Sequence, residues 1–414
     1  MKKILDFKNI QYFPILTMAA FYIPQSVIGM IFFDGYYSTK VFFIAVVSCF
    51  VYLFVFHYFF SKNFFSWVNK LSKLNVGVLF FPGVIFTLYI AITIYAFWTT
   101  EQIALFEVFK GASIDELSKS RGDFLSTRTG WEAVLPYIHA ILKMAFMPYA
   151  VATLFFAKHR LRVYFLGVFL LTLALTLEKS SAIVAIMPVV ILAINSKAGK
   201  GRAVRIVVAL IFFIGAVSFL SRGGIAAFSG DNGQIEDGKA ATMPVEYQLF
   251  VGDSQLYYIL NRVFWIPFAT AVDWLKYQDE VLGGEYSLGS SIGAVAAILG
   301  VPKTNFEKEV FSFQWGQNED ETGTSNTVYF IDAFVNFSWI GVIFYSAVLA
   351  VVLRVIVASN NIPAKCAVYV ALFYLSFNSL PPILFSGGLI FLLFIMLFLK
   401  PVTENASLRV RARQ

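Results

Sequence analysis

The chain has 414 residues, of which 58% are hydrophobic and only 14% are charged. A soluble domain carries roughly 25% charged residues, and apolar stretches of about 20 residues mark membrane spans, so a soluble enzyme is excluded and a polytopic membrane protein is expected. The net charge of +7 does not point to nucleic acid, because the cations fall in short clusters between apolar runs, the pattern that orients a chain in a bilayer.

In chain order, apolar runs fall at 12–33, 41–60, 76–98, 133–157, 163–177, 182–194, 206–220, 327–357, 366–380 and 383–399. That predicts an all-α membrane protein of about ten transmembrane helices. The N-terminal MKKILDFKNI is basic but lacks a small-residue cleavage site, so the first run reads as a retained span. The two cysteines, Cys49 and Cys366, each lie inside an apolar run, which implies no disulfide framework.

The linkers alternate in character. SKNFFSWVNKLSKLN, KHRLR and NSKAGKGRAVR are short and basic, as is the tail RVRAR. With both termini and the 354–365 linker they hold 19 of the 32 Lys and Arg residues. By the positive-inside rule these linkers and both termini are cytoplasmic. The even number of runs agrees. Three parts follow: residues 1–220, a seven-span bundle with an external loop at 99–132; residues 221–326, one large external loop; and residues 327–414, three spans and a cytoplasmic tail.

The run 163–194 is too long for one crossing. As a single helix it would measure about 48 Å against a hydrocarbon core of about 30 Å, and basic linkers flank it on both sides. It must go out and return. Glu178, Lys179, Ser180 and Ser181 then form the hinge of a short-armed hairpin that dips below the outer surface. A charged pair at that depth faces protein or a water-filled cavity. A returning helix N-terminus beside Lys179 favours an anion.

The first external loop carries SKSRGDFLSTRTGWE and leads into a span with His139 and Lys143. On a helix Glu132, His139 and Lys143 lie near one face, because steps of seven and four return to the same angle. A carboxylate, a base and a cation near an external cavity can act as an acid–base group. The large loop begins at Arg222. Its stretch 253–278 reads as one or two amphipathic helices, with Arg262 among aromatic residues. SLGSSIGAVAAILGVP has the small, moderately apolar character of a segment that re-enters the outer leaflet, and 315–326 is a polar, acidic loop. Four external arginines, Arg121, Arg128, Arg222 and Arg262, offer bidentate donors for phosphate oxygens. The aromatic residues Tyr258, Trp265 and Trp315 are the candidates for packing on sugar C–H faces.

Nucleotide-binding, metalloprotease and CxxC motifs are all missing from the sequence. Three histidines and two scattered cysteines give no zinc site, and no cofactor is expected. A reaction here needs a substrate already activated outside, and a lipid-linked diphosphate fits.

In this light the chain resembles the Wzy-type O-antigen or oligosaccharide repeat-unit polymerases of bacterial inner membranes. The resemblance rests on ten or more spans, inside termini and two dominant external loops bearing arginines. Locally, LTLEKSSAIVAI resembles the family's T-x-S-R-small run, with Lys179 near a common arginine. TVYFIDAFVNFSWIG resembles its aromatic-x-x-F-G-x-x-G segment, with Ser338 in place of the first glycine. RVFWIPF and VLGGEYSLG resemble parts of the large loop.

The resemblance implies a GT-C-like fold and an inverting, metal-independent glycosyl transfer. A growing glycan on undecaprenyl diphosphate would pass to a hydroxyl of an incoming lipid-linked repeat unit. Such chemistry needs a base for the acceptor and cations for the leaving diphosphate. His139 or Glu132 would be the base. Arg222, Arg262 and Arg121 would hold diphosphate, with Lys179 and Arg128 in support. Expected partners are the donor and acceptor glycolipids, membrane lipids and a chain-length regulator. Two rivals stand beside this reading: an O-antigen ligase, which shares the donor but not the acceptor, and a flippase or transporter of lipid-linked oligosaccharide.

Overall fold

The computed structural model describes residues 9–59, 64–100, 102–110, 128–177, 181–196, 260–316 and 323–402, with shorter pieces between 112 and 125 and between 201 and 257. Among these residues the protein is all-helical and has no β-strand. Six helical stretches are long and apolar enough to cross a membrane: Ile10–Phe32, Gly35–Phe59, Phe80–Trp98, Gly130–Phe156, Tyr329–Ala358 and Leu380–Phe398. Three further apolar helices, Arg162–Leu175, Ala182–Asn195 and Ile362–Leu375, are shorter. These match nine of the expected runs, and the other, 206–220, falls outside the described residues except for Val208.

The elements are α1 (Phe13–Phe21), α2 (Ile23–Phe32), α3 (Gly35–Phe54), α4 (Phe80–Trp98), α5 (Ala104–Phe109), α6 (Leu135–Ile141), α7 (Met147–Phe156), α8 (Arg162–Leu175) and α9 (Ser181–Asn195). Then come α10 (Ile266–Glu280), α11 (Gly293–Leu299), α12 (Phe306–Trp315), α13 (Tyr329–Ala358), α14 (Ile362–Leu375), α15 (Leu380–Leu384) and α16 (Leu389–Phe398). The run 163–194 is two packed helices, α8 and α9, as a chain that must turn back requires. Its hinge residues Glu178, Lys179 and Ser180 fall outside the described residues.

Prolines set several of the interruptions. A proline lacks an N–H and its ring clashes with the carbonyl four residues earlier, so it belongs in a first turn. Pro24, Pro136, Pro148, Pro267 and Pro363 all occupy the first turns of their helices. Wide π-turns at Leu142–Phe146 and Asn261–Trp265 lie immediately before Met147–Pro148 and Ile266–Pro267. There the carbonyl that the ring would strike lies inside the widened turn, which gives it room.

α3 and α13 form the centre of the bundle. Ser48 on α3 is hydrogen-bonded at 2.8 Å to both Tyr329 and Ser346 on α13. Small and hydroxyl-bearing residues let helices approach closely where the hydrophobic effect gives no drive between them. Tyr22 donates to the Ser376 carbonyl at 2.6 Å and Tyr52 to the Gln11 carbonyl at 2.6 Å, tying α2 and α3 to distant parts of the chain.

The helix ends sort into two sets. At one end Asn69 donates to the Ala358 carbonyl, Lys73 to the Met396 carbonyl, and Leu74 bridges Leu399. This is the end of the basic linkers. At the other, the turn between α2 and α3 meets α10 through Asp34–Lys276 at 3.3 Å, and α3 meets it through Lys40–Asp279 at 3.2 Å. Both pairs are partly exposed, so each contributes up to about 1 kcal/mol and serves mainly to fix position.

α10 departs from the amphipathic helix expected of the large loop. Phe268 through Leu275, then Tyr277 and Gln278, are buried, which covers every side of the helix. The reason is its surroundings: α10 packs against α3, α12 and α13 together, which leaves water only its first residues, Lys276 and its C-terminal end. α11, within the stretch expected to re-enter the outer leaflet, has seven residues and leaves Ile298 and Leu299 exposed.

α13 is broken inside its own length. Phe337 (φ −137°, ψ 19°) and Ser338 (φ 58°, ψ −154°) leave the helical region. The carbonyls of Val335 and Asn336 would be bonded by N–H groups beyond that break. Instead they accept from the backbone N–H groups of Ser287 and Leu288, at 3.2 and 2.9 Å. A segment of the large loop thus supplies the donors that the helix lost, as buried backbone requires.

Candidate functional site

The sequence groups Glu132 with His139, and both do turn toward α4. Glu132 accepts from the Tyr95 hydroxyl, and His139 stacks on Tyr89 with ring centroids 5.4 Å apart. Phe124 meets the imidazole edge to face at 6.1 Å, and His139 is buried. The second Glu132 oxygen accepts from Arg128 at 2.8 Å. Arg128 also donates to the Ala96 carbonyl at 3.1 Å and to the Thr99 and Thr100 hydroxyls. The guanidinium therefore closes the C-terminal end of α4, whose last carbonyls have no helical donors. Arg128 and Glu132 hold each other and that helix end, and either must exchange a partner to reach a substrate. Lys143 lies one turn beyond His139, in the π-turn.

Of the other expected arginines, Arg262 is described and exposed, in the π-turn that leads into α10. Its neighbour Asn261 is buried and fixes this turn: the side-chain oxygen accepts from the Phe250 N–H at 2.8 Å, and the amide donates to the Phe250 carbonyl at 2.7 Å. Arg121, Arg222, Lys179 and Tyr258 lie outside the described residues. Trp265 is 1% exposed and packs on Phe33 at 4.8 Å and Phe268 at 5.0 Å. Trp315 packs on Tyr247 at 5.0 Å, and Tyr247 in turn donates to Asp273 at 2.6 Å.

These contacts define a cleft on the end of the bundle away from the basic linkers. It is lined by Phe33 and Asp34 from the α2–α3 turn, by Ser38 from the start of α3, by Tyr247, and by Trp265, Phe268, Ala269, Val272, Asp273 and Lys276 from the π-turn and α10. Trp265 belongs to its wall rather than to an open rim. The sequence pointed to this tryptophan; Asp34, Ser38, Asp273 and Lys276 carried no motif that would have.

A second polar centre lies at the break in α13. Asp332 is buried within the first turns of that helix. One oxygen accepts from the Asn336 amide at 3.1 Å, and the other has no hydrogen-bond partner among the described residues. The Asn336 oxygen accepts from Ser287 at 2.7 Å and Ser291 at 2.9 Å. Glu307 is near enough to repel the Asp332 charge. Burial raises the Glu307 carboxyl above its ordinary range, and Lys303 pulls it part of the way back. A signal for Asp332 was present in the sequence, since an acid inside an apolar run is a functional candidate by default.

Among the described residues no group of three His, Cys, Asp or Glu side chains could hold a metal ion. No family model, curated protein or solved structure matches the chain.

Proposed function

We propose that the protein is a glycosyltransferase of the bacterial inner membrane that polymerises undecaprenyl-diphosphate-linked oligosaccharide repeat units on the external face. The observation that most supports this is the cleft itself. It is recessed, walled by aromatic rings and lined by both signs of charge, and an exposed arginine occupies the turn that leads into its wall. A glycolipid presents matching chemistry: sugar hydroxyls and C–H faces for the wall, diphosphate oxygens for Arg262. Arg121, Arg222 and Lys179 complete the diphosphate set in this reading, with His139 or Glu132 as base. The base would take the acceptor hydroxyl proton as the new glycosidic bond forms and undecaprenyl diphosphate leaves from the anomeric carbon.

A strain lacking the gene tests the reading. Surface lipid capped with a single repeat unit is expected. Complete loss of capping would instead identify a ligase, and an unchanged polymer ladder would contradict a role in either step.

One observation favours a second reading, transport of the lipid-linked glycan. Several crossings are interrupted, among them α13 at Phe337–Ser338 and the 380–398 segment between α15 and α16, and α13 carries a buried carboxylate beside its break. Interrupted helices with buried ionisable groups line many transport sites. Reconstituted protein that moves glycolipid between leaflets without chain growth would establish it.

A further inference from the structure

We infer that residues 286–303 anchor the protein in the bilayer leaflet on the side away from the basic linkers, with Ile298, Leu299 and Val301 set at the boundary between lipid headgroups and acyl chains. The inference concerns a lipid surface and is independent of the proposed reaction.

The segment is a closed loop with an apolar tip. Its neck is the hydrogen bond from the Thr304 N–H to the Ser290 carbonyl, 3.1 Å. Between these residues α11 ends at Gly300, whose φ of 67° turns the chain back. Every residue from Ala297 to Pro302 is exposed, Ile298 at 84%. No charged residue lies between Ser287 and Pro302. Proteins keep such runs off a wet surface, so an unbroken one on a loop tip marks contact with something apolar.

Height in the bundle identifies the partner as lipid. α13 ends at Ala358, whose carbonyl accepts from Asn69 at the end of the basic linkers. From Ala358 back to Trp339 the helix measures about 30 Å, the thickness of the hydrocarbon core. The break at Phe337–Ser338 therefore lies at the far boundary of that core. The loop is fastened at this level. Tyr286 meets Phe334 edge to face at 5.9 Å, Ser287 and Leu288 donate to the Val335 and Asn336 carbonyls, and Gly289 lies against the Phe337 ring. Residue by residue the chain descends beside α13 toward the core, then turns at Gly289, where φ is 85°.

The surroundings suit a membrane boundary. Trp339 packs edge to face on Phe334 at 5.3 Å, and Trp339 and Tyr286 are both exposed. Tryptophan and tyrosine collect where hydrocarbon meets headgroups. Immediately beyond, Ile340, Ile343 and Phe344 continue an exposed apolar surface along the crossing. Lys303 follows the apolar run and is exposed, placed as a snorkelling cation is, with its ammonium toward lipid phosphate. α11 has seven residues, about 10 Å, too short to dip into the leaflet and return, so the loop lies in the boundary rather than re-entering. Lipid contact at the tip would hold the Ser287 and Leu288 donors on the broken helix.

Ile298→Cys tests this, with Ile340→Cys as the reference within a crossing. Both positions are exposed, so a fluorophore on either leaves the packing intact. Wild type carried through the same labelling gives the background from Cys49 and Cys366. Each full-length protein is reconstituted in phosphatidylcholine–phosphatidylglycerol vesicles, and quenching is read with nitroxide near the top of the acyl chains, with nitroxide near their ends, and with iodide in the water. The Ile298 label is expected to be quenched by the shallow nitroxide to within about twofold of the Ile340 label, as a residue at the headgroup–acyl boundary should be. Weaker quenching by the deep nitroxide and little by iodide complete the expected pattern. Strong iodide quenching would place the tip in water, stronger quenching by the deep nitroxide would make the loop re-entrant, and protection from all three would mean that protein covers it. Each of these overturns the inference. None of the readings depends on turnover, so they stand whether or not the protein extends a glycan.

Discussion

Gly341→Ala is expected to lower stability by about 1–3 kcal/mol, the usual cost of forcing atoms into a filled space. A side-chain carbon at this position would lie inside contact distance of the Ala333 carbonyl oxygen and 2.8 Å from the Phe337 side chain. The Ala333 oxygen is backbone and cannot swing aside, so the break in α13 would have to reshape. The reverse effect is expected one turn earlier. Ser338 has φ 58° and ψ −154°, a region in which a side chain costs roughly 1–3 kcal/mol and which glycine enters freely. Ser338→Gly should therefore stabilise the protein by about 1 kcal/mol, once the roughly 0.5–1 kcal/mol of chain entropy that glycine loses is subtracted. Half-lives of detergent-solubilised protein on heating measure both variants. A shorter half-life for Ser338→Gly, or an unchanged one for Gly341→Ala, would contradict the geometry of the break and the way 287–291 docks on it.

Arg262→Ala is expected to reduce polymer at least about a hundredfold, the scale on which removing one positioned donor from developing charge is felt. The residue is exposed, so the protein should still accumulate. Arg262→Lys should recover only part of the activity, because an ammonium lacks the planar fork that grips two phosphate oxygens. Arg128→Ala gives the contrast. That guanidinium holds the end of α4 and Glu132, so its loss should appear first as lost stability, about 1.5–3 kcal/mol for hydrogen bonds to a charged group. Polymer yield and melting temperature, measured together on the three variants, sort the two arginines. Wild-type polymer from Arg262→Ala would remove this residue from the site.

The membrane architecture was legible because crossing a bilayer imposes a length and a composition that a chain must carry openly. The expected runs at 41–60, 76–98 and 327–357 differ only modestly from the helices Gly35–Phe59, Phe80–Trp98 and Tyr329–Ala358. The turning back of the chain within 163–194 followed from its length and from the basic linkers on both sides. What sequence could not reveal were partners far away along the chain. Arg128 reads as one external arginine among four until Ala96, Thr99 and Thr100, some thirty residues earlier, are found beneath it. α10 reads as amphipathic because its polar residues, Thr270, Asp273 and Gln278, suggest a wet face. Those side chains are buried, and all three are paired, Asp273 with Tyr247, Thr270 with Gln314 and Gln278 with the Glu285 carbonyl. Asp332 went unweighed for a different reason: in a run this apolar, a single acid barely lowers the mean hydropathy that marks the span. Ser338, noted only as a missing glycine, proves to stand in a backbone conformation that glycine would suit.

Incubation of purified protein, reconstituted in liposomes, with undecaprenyl-diphosphate-linked repeat unit as sole substrate tests the central claim most directly. With chelator present and no nucleotide added, a ladder of products lengthening by whole repeat units is predicted. Glycolipid that remains a single unit long, or that moves across the bilayer without growing, would contradict it.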